Sequence, residues 1–296
     1  MIALLLAATT ASLGSGPIEF GADSLRMEPK DRRAILDGAV RLRRADLTLT
    51  GEHAVADFAP QEPAPARRKK GKEAAALGQA LRRFEVHGKV HFTRGNRTAD
   101  AEHGVLDVEA QTLVLTGTPA APPVLRDGTE TLSGETILLR LDSEDVDVRQ
   151  PRLVLRRSVD EAAQKPTPVR IEAARLFLDR GRRLARFTDD VVVRRGDAVV
   201  KSPRMDASYD EDGQLTDLKM SGGVDLRQGD RRATGAAADY DADSRVVVLT
   251  GEPKLYDRGD VLAGERIDLS LESKEVHVER ARGRFRPELH QTEGRP

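Results

Sequence analysis

The side chains of this 296-residue chain best suited to bind a metal ion are its six histidines, because the chain has no cysteine. His87 and His91 share one parity of a predicted strand. Four residues of extended chain separate such side chains by about 13 Å, which is too far for both to bind one ion. We therefore expect solvated strand residues here, and the sequence predicts no metal site and no cofactor.

Two acidic clusters offer carboxylates, but each is typical of a turn. The range 210–213 (Asp-Glu-Asp-Gly) resembles part of a calcium loop, although the remaining ligand positions and the closing glutamate are missing. Asp189 and Asp190 lie directly before Val191, where turn chemistry explains them more simply than a catalytic pair. The chain also has no phosphate-binding glycine loop, nucleophile elbow or helical His-Glu-x-x-His. We therefore expect a protein that is not an enzyme.

The basic run at 67–70 (Arg-Arg-Lys-Lys) is the remaining charged candidate, for anionic head groups or phosphate. It lies in a proline-rich stretch and no aromatic residues alternate with it, which is more typical of a solvated loop. The chain carries 48 basic and 49 acidic residues, a net charge of −1, so no overall field attracts nucleic acid. We expect no nucleic-acid partner.

Alternation of apolar and polar residues indicates that strands dominate the chain. Val40, Leu42, Leu47 and Leu49 alternate with basic and threonine residues, which is the pattern of a strand with one buried face. Short turn signals such as Asp-Gly and Gly-Asp recur along the chain. Only 3% of the residues are aromatic and there is no tryptophan, so the core is aliphatic. These features predict an all-β protein with antiparallel strands.

A repeated motif organises these strands. It consists of a small or acidic residue, any residue, valine, any residue and an apolar residue, and its four copies begin at Gly38, Gly88, Asp189 and Gly222. An apolar landmark follows each valine at alternating spacings of 18 and 16 positions, at Phe58, Leu106, Tyr209 and Tyr240. One long unit is therefore written twice, and each unit holds two shorter copies, which is typical of stacked architectures.

The ends of the two units also match. Gly117 and Gly251 lie 134 positions apart, and Gly134 and Gly264 lie 130 apart. The start of the chain, an apolar run followed by small residues, is typical of a secretory signal peptide and shorter than the roughly 20 residues of a membrane span. We predict a signal peptide at 1–16, a first domain at 17–156 with a surface insertion at 59–80, a linker or exposed hairpin at 157–168, a second domain at 169–283 and a tail at 284–296.

The order of several short motifs resembles the OstA-like family, the group that contains the lipopolysaccharide-transport proteins LptA and LptC and the N-terminal domain of LptD. These motifs are Ala-Asp-x-Leu at 22–25, Gly-x-Val at 38–40, Leu-Thr-Gly at 115–117, Gly-Glu at 134–135 and Val-x-Val at 146–148. The second unit repeats the match from 169 to 278. The resemblance implies two tandem OstA-like β-jellyroll domains of stacked antiparallel strands in the periplasm.

The resemblance also implies an interior that carries the acyl chains of lipopolysaccharide or a related amphiphile toward the outer membrane. It implies end-to-end pairing of edge strands with LptC-like or LptD-like proteins, or with a second copy of this chain. The alternative is an envelope scaffold with a dry core, because protein interiors are close-packed by default. The predicted lipid-binding residues are Val40, Leu42, Phe58, Val90, Phe92, Leu106, Leu115, Val191, Val193, Tyr209, Val224, Leu226, Tyr240 and Leu249.

Overall fold

The computed structural model describes residues 17–60, 81–155, 168–270 and 275–284. Within these ranges every regular element is a β-strand, and no helix there is long and apolar enough to span a membrane. The predicted signal peptide lies outside the described residues, as do 61–80 of the predicted insertion, 157–167 of the predicted linker and 285–296 of the predicted tail.

The first unit contributes twelve of these strands. They are β1 (Glu19–Gly21), β2 (Ser24–Glu28), β3 (Arg33–Arg44), β4 (Leu47–Phe58), β5 (Leu81–Arg94), β6 (Arg97–Asp107), β7 (Thr112–Thr116), β8 (Val124–Asp127), β9 (Glu130–Ser133), β10 (Thr136–Arg140), β11 (Val146–Arg149) and β12 (Arg152–Leu155).

The second unit contributes the next twelve strands in the same order of long and short elements. They are β13 (Val169–Glu172), β14 (Arg175–Asp179), β15 (Leu184–Arg195), β16 (Ala198–Tyr209), β17 (Leu215–Gln228), β18 (Arg231–Asp241), β19 (Val246–Thr250), β20 (Lys254–Asp257), β21 (Asp260–Ala263), β22 (Arg266–Ser270), β23 (Val276–Glu279) and β24 (Arg282–Arg284).

The repeated motif is the point at which a long strand bends. In all four copies the first two residues have positive φ, between 44° and 104°, and the pairing register shifts there. Glycine adopts this left-handed conformation without a steric penalty, and aspartate tolerates it better than most residues. This is why the first position is Gly38, Gly88 or Gly222 in three copies and Asp189 in the fourth.

The bends divide the strands between two hydrogen-bonded layers, which we call wall A and wall B. Wall A contains, in order, β2, 33–37 of β3, 53–58 of β4, 81–87 of β5, 103–107 of β6, β7, β10, β11, β14, 184–188 of β15, 204–209 of β16, 215–221 of β17, 237–241 of β18, β19, β22 and β23. Wall B contains, in order, β1, 40–44 of β3, 47–51 of β4, 90–94 of β5, 97–101 of β6, β8, β9, β12, β13, 191–195 of β15, 198–202 of β16, 224–228 of β17, 231–235 of β18, β20, β21 and β24.

The pairing is antiparallel throughout the described strands and continues from the first unit into the second. Strand β11 pairs with β14 in wall A, and β12 pairs with β13 in wall B. The inward-facing residues of both walls belong to one hydrophobic core that extends through both units. Each fully buried leucine, such as Leu49, Leu113 or Leu132, contributes about 1.5–3 kcal/mol to folding. The predicted all-β, duplicated jellyroll is confirmed, whereas the predicted domain boundaries stay a prediction.

Candidate functional site

All fourteen predicted lipid-binding residues face the core, but the two units enclose them differently. The seven in the first unit are buried, from 0% exposed for Leu42 to 8% for Phe58. In the second unit Val193, Leu226 and Tyr240 are only partly buried and lie at the margin of the core. The other four in the second unit, including Val224 and Leu249, are buried. The interior of the first unit is thus filled by its own side chains, and that of the second unit is open in part. We call the apolar space between the walls the seam.

The open part of the seam is a cavity of about 410 Å³ in the second unit. Such a volume is in the range of pockets that bind small ligands. Its apolar lining comes from both walls: Leu226, Ala233, Leu255, Leu269 and Val276. Its polar rim comprises Asp197, Gln228, Asp230, Arg231, Asp257, Arg258, Ser270 and Glu275. An apolar floor with a charged rim suits an amphiphile whose chain is buried and whose head group stays in water.

The equivalent place in the first unit is almost filled. Strand register identifies the equivalent positions. In the first unit Arg97 pairs with positions 94 and 127, and in the second unit Arg231 pairs in the same way with positions 228 and 257. The cavity at the first set of positions, between Phe92, Leu125 and Leu139, measures about 20 Å³. That volume holds little more than one water molecule. The same backbone therefore encloses a filled seam in one unit and an open seam in the other.

Smaller side chains in wall B account for part of the difference. By strand register, Leu42 and Leu49 of the first unit correspond to Val193 and Val200 of the second. The largest change at the cavity replaces Phe92 by Leu226, since both follow the motif valine by two positions. Each replacement removes at least one methylene-sized group from the seam, and close-packed interiors do not compensate for such losses by themselves.

A set of partly buried charges closes the turn edge of the first unit, and we call Arg94, Arg97, Glu144 and Arg180 the latch. From wall B, Arg94 Nη1 donates to the backbone oxygen of Leu141 at 2.7 Å, and Arg97 lies 3.6 Å from Glu144. From wall A, Arg180 lies 3.1 Å from Glu144. All four side chains are 10–19% exposed. These contacts tie wall B to wall A across the seam.

The pKa of Glu144 reflects this setting. Burial raises the pKa of Glu144 above its usual range, although Arg97 and Arg94 act in the opposite direction. A carboxylate that is this deeply buried is stable in its ionised form only while it remains paired with cationic side chains. The latch is therefore sensitive to the removal or reversal of any one charge.

The second unit retains Arg97 of the latch, as Arg231, but not Arg94 or Glu144. Gln228 stands where the first unit has Arg94, and Lys274, in a segment outside the described residues, matches Glu144 by the offset of 130. Arg231 matches Arg97 and still pairs with Asp257 at 2.8 Å, but it is 49% exposed, against 19% for Arg97. The loss of one cation and the reversal of one charge thus coincide with the open seam.

Tyr209 closes the interior at the junction of the two units. Its hydroxyl donates to the backbone oxygen of Asp179 at 3.1 Å, and its ring lines a residual cavity of about 10 Å³ with Leu125, Leu178 and Arg180. Burial, followed by the nearby carboxylates of Asp179 and Asp145, raises the pKa of Tyr209 to about 12. The phenol therefore stays neutral and keeps its hydrogen bond at physiological pH.

The acidic clusters singled out in the sequence form turns and bends. Asp210 Oδ1 accepts hydrogen bonds from the backbone of Asp212 and Gln214 at 3.0 and 2.8 Å, which is an Asx turn between β16 and β17. Asp189 and Asp190 form the bend of β15, with φ of 62° and 55°. The basic run at 67–70 lies outside the described residues.

Sequence reasoning missed a cluster that strand register creates. His91 pairs with Asp100 at 2.7 Å, far from His87, as the spacing on one strand predicts. His87, however, lies opposite His103 of the next strand, and Glu85 contacts both. Spacing within one strand cannot detect such a group. The signal that could have found it is the two-residue turn at Gly95-Asn96 together with the bend at Gly88, which set the register of β5 against β6.

Bent antiparallel strands stacked in two walls around an apolar seam define the class of the protein, a β-jellyroll of the stacked kind. The sequence profile of the family described as LptA/(LptD N-terminal domain) LPS transport protein matches residues 19–145 and 170–275, so the chain belongs to this family. Each matched range covers one unit, and the resemblance inferred from the short motifs is confirmed.

Among solved structures, the chain is similar to LptH of Pseudomonas aeruginosa, described as the LptA-homologous periplasmic component of the lipopolysaccharide transport device. The two chains are 20% identical, with a TM-score of 0.38, and the match covers 41% of this chain and 96% of LptH. No curated protein matches the chain.

Proposed function

We propose that this protein is a periplasmic bridge that carries the acyl chains of lipopolysaccharide in its seam toward the outer membrane. The observation that carries the proposal is the cavity of about 410 Å³ in the second unit, continuous with an apolar core that runs through both units. Membership of a lipopolysaccharide-transport family supports the identity of the ligand. No side chain needs to act chemically, since the function is one of binding and transfer.

The cavity can hold an acyl chain and leave a phosphorylated head group in water. Each methylene group buried against Leu226, Leu255 and Leu269 stabilises the complex by about 0.8 kcal/mol. At the rim, the side chain of Arg258 is 82% exposed, and its contact with Asp257 is long, at 3.9 Å. Its guanidinium can therefore contact a head-group phosphate. The latch keeps the first unit closed, so we place entry at the second unit and passage through the first after the latch has opened.

Partner docking is proposed at the two ends of wall A. Leu25 and Met27 in β2 are 47% and 37% exposed, although register puts them on the inward face, opposite the buried Leu36 and Ala34. At the other end, Val276 in β23 is 37% exposed and lies opposite Leu269. An LptC-like or LptD-like protein, or a second copy of this chain, would cover these residues by adding a strand.

Site-specific photo-crosslinking in a lipopolysaccharide-producing host tests the proposal. A photoreactive residue at Leu226 or Leu255 should form adducts with lipopolysaccharide, because both side chains line the cavity. The matched controls are Arg41 and His91, which alternate with inward residues and point away from the seam. Adducts of equal yield at the control positions, or none at Leu226 and Leu255, would reject a lipid-binding seam.

The filled interior of the first unit favours a second candidate function, an envelope scaffold with a dry core. Native mass spectrometry of protein from the same host separates the two. A bridge should retain one or more lipids of lipopolysaccharide mass. A scaffold should carry none and should take up none when lipopolysaccharide is added.

A further inference from the structure

Five side chains in strict register form a polar ladder on the outer face of wall A in the first unit. Asp37, His53, His87, His103 and Thr116 lie opposite one another on β3, β4, β5, β6 and β7. The rings of His87 and His103 are stacked, with centroids 4.4 Å apart and planes inclined by 21°. Glu85 lies on the same face, two residues before His87.

Three of these donors converge on one point. Glu85 Oε1 is 3.0 Å from His103 Nε2 and 3.4 Å from His87 Nε2. One potential ligand atom from each of the three residues lies within 4.8 Å of the other two. Two ligands of one tetrahedral Zn²⁺ ion, each about 2.1 Å from the metal, are separated by about 3.4 Å. We propose that Glu85, His87 and His103 form a binding site for a divalent transition-metal ion of the Zn²⁺ type.

Hydrogen bonds around two of the three donors, His103 and Glu85, orient them toward the common point. Thr116 Oγ1 lies 3.2 Å from Nδ1 of His103, so that nitrogen can donate its proton to the hydroxyl and leave Nε2 free to bind. Arg83 donates to Oε2 of Glu85 at 3.1 Å and leaves Oε1 facing the histidines.

Two histidines and one carboxylate are a frequent ligand set for zinc with an open fourth position. The side chains of Glu85 and His103 are about 30% exposed and that of His87 is 45% exposed, so water or an external ligand can reach the ion. His53, whose ring centroid is 6.1 Å from that of His87, borders the site and is itself oriented by Asp37 at 2.6 Å.

The second unit shows that the fold does not require these residues. By register, Arg204, Ser221 and Ala237 occupy the positions of His53, His87 and His103. Lys219 occupies the position of Glu85, two residues before Ser221. The same strands pair in the same way without any metal-binding side chain at these positions, so the cluster in the first unit is an addition to the fold. The inference is independent of lipid binding.

Zn²⁺ titration of the tag-free full chain, after treatment with EDTA, tests the site. Isothermal titration calorimetry should detect one equivalent bound with micromolar affinity. Co²⁺ should give visible absorption bands of the intensity expected for nitrogen and oxygen ligands at a four- or five-coordinate ion. His87→Ala, His103→Ala and Glu85→Gln should each weaken binding at least tenfold.

His91→Ala is the matched control, because His91 is equally exposed, lies on the same strand and also contacts a carboxylate, at 2.7 Å. It should bind Zn²⁺ like the unmodified chain. Circular dichroism identifies any variant that fails to fold. Glu85→Gln keeps the shape of the side chain, so it tests the loss of the carboxylate ligand even if a histidine variant does not fold. Absence of stoichiometric binding, or equal loss in His91→Ala, would overturn the site.

Discussion

The two units of this protein share their strand order, their bends and their register, yet the seam is closed in the first and open in the second. A cavity of about 20 Å³ between Phe92 and Leu139 corresponds to one of about 410 Å³ between Leu226 and Leu269. The backbone is set by the repeated bend and by strand pairing, both of which the units have in common. The seam of the first unit is closed by its own side chains and also by Arg180 and Tyr209 of the second unit, which cover the same place.

Two kinds of change act together at this point. Smaller residues in wall B, such as Leu226 in place of Phe92, create volume, but a volume closed to solvent does not admit a lipid. By sequence, Gln228 and Lys274 stand in place of Arg94 and Glu144, two residues that tie the walls together in the first unit. In the second unit the smaller side chains and the altered latch positions occur together, and each can be tested separately.

The largest effect is expected for Glu144→Lys, which gives the first unit the charge of the second. The new cation would lie beside Arg97 and Arg180 in a place where Glu144 is 11% exposed. Breaking a buried ion pair costs about 3–5 kcal/mol, so we expect urea unfolding to show a loss of about 3 kcal/mol. We also expect an environment-sensitive fatty-acid probe to bind a second site per chain.

Glu172→Lys is the control for this experiment. Glu172 pairs with Arg194 at 3.2 Å, but both side chains are nearly half exposed, and such pairs contribute at most about 1 kcal/mol. A similar loss of stability in both variants would mean that the latch is an ordinary surface ion pair. If Glu144→Lys binds the same number of probe molecules as the unmodified chain, the latch does not control access to the seam.

A smaller effect is expected from exchanging the residues at the cavity. Phe92→Leu removes a ring portion from a closed interior and should destabilise the protein by about 1 kcal/mol without admitting the probe, because the latch is intact. Leu226→Phe should leave stability nearly unchanged and lower the affinity for the probe several-fold, because the added ring occupies the cavity. Thermal unfolding and probe titration measure both effects. Probe uptake by Phe92→Leu would show that packing alone controls access.

The sequence predicted the features that depend on period and motif. The all-β class, the duplication and the inward parity of Val40 and Leu42 follow from periodicity, and the jellyroll was implied by the family resemblance. The motif copies at Gly38, Gly88 and Gly222 were detected, but the bends that they form were not predicted. The openness of the seam could not be predicted, because it depends on whether side chains from walls distant in sequence, such as Arg97 and Glu144, meet. The cluster of Glu85, His87 and His103 was missed for the same reason, because His103 comes from the neighbouring strand and only the pairing register places it opposite His87.

The smallest effect concerns pH and the outer face of the second unit, where Asp225 accepts hydrogen bonds from Arg232 and Arg227 at 2.8–3.3 Å. Burial raises the pKa of Asp225, but the two guanidinium groups outweigh it and the pKa lies below its usual range. Since the folded pKa is below the unfolded value of about 3.9, the ion pair stabilises the folded state above that pH and the stabilisation is lost as pH falls through the folded pKa.

Asp225→Asn should therefore lower the melting temperature slightly at pH 7, by an amount corresponding to at most about 1 kcal/mol. The difference from the unmodified chain should stay constant down to about pH 5 and shrink below about pH 4. Arg232→Gln removes one of the two cationic partners of Asp225 and should show a smaller difference over the same pH window, because a guanidinium does not titrate there. If the difference in melting temperature persists at pH 2.5 in both variants, it arises from side-chain packing on the outer face of the second unit and not from the ion pairs of Asp225.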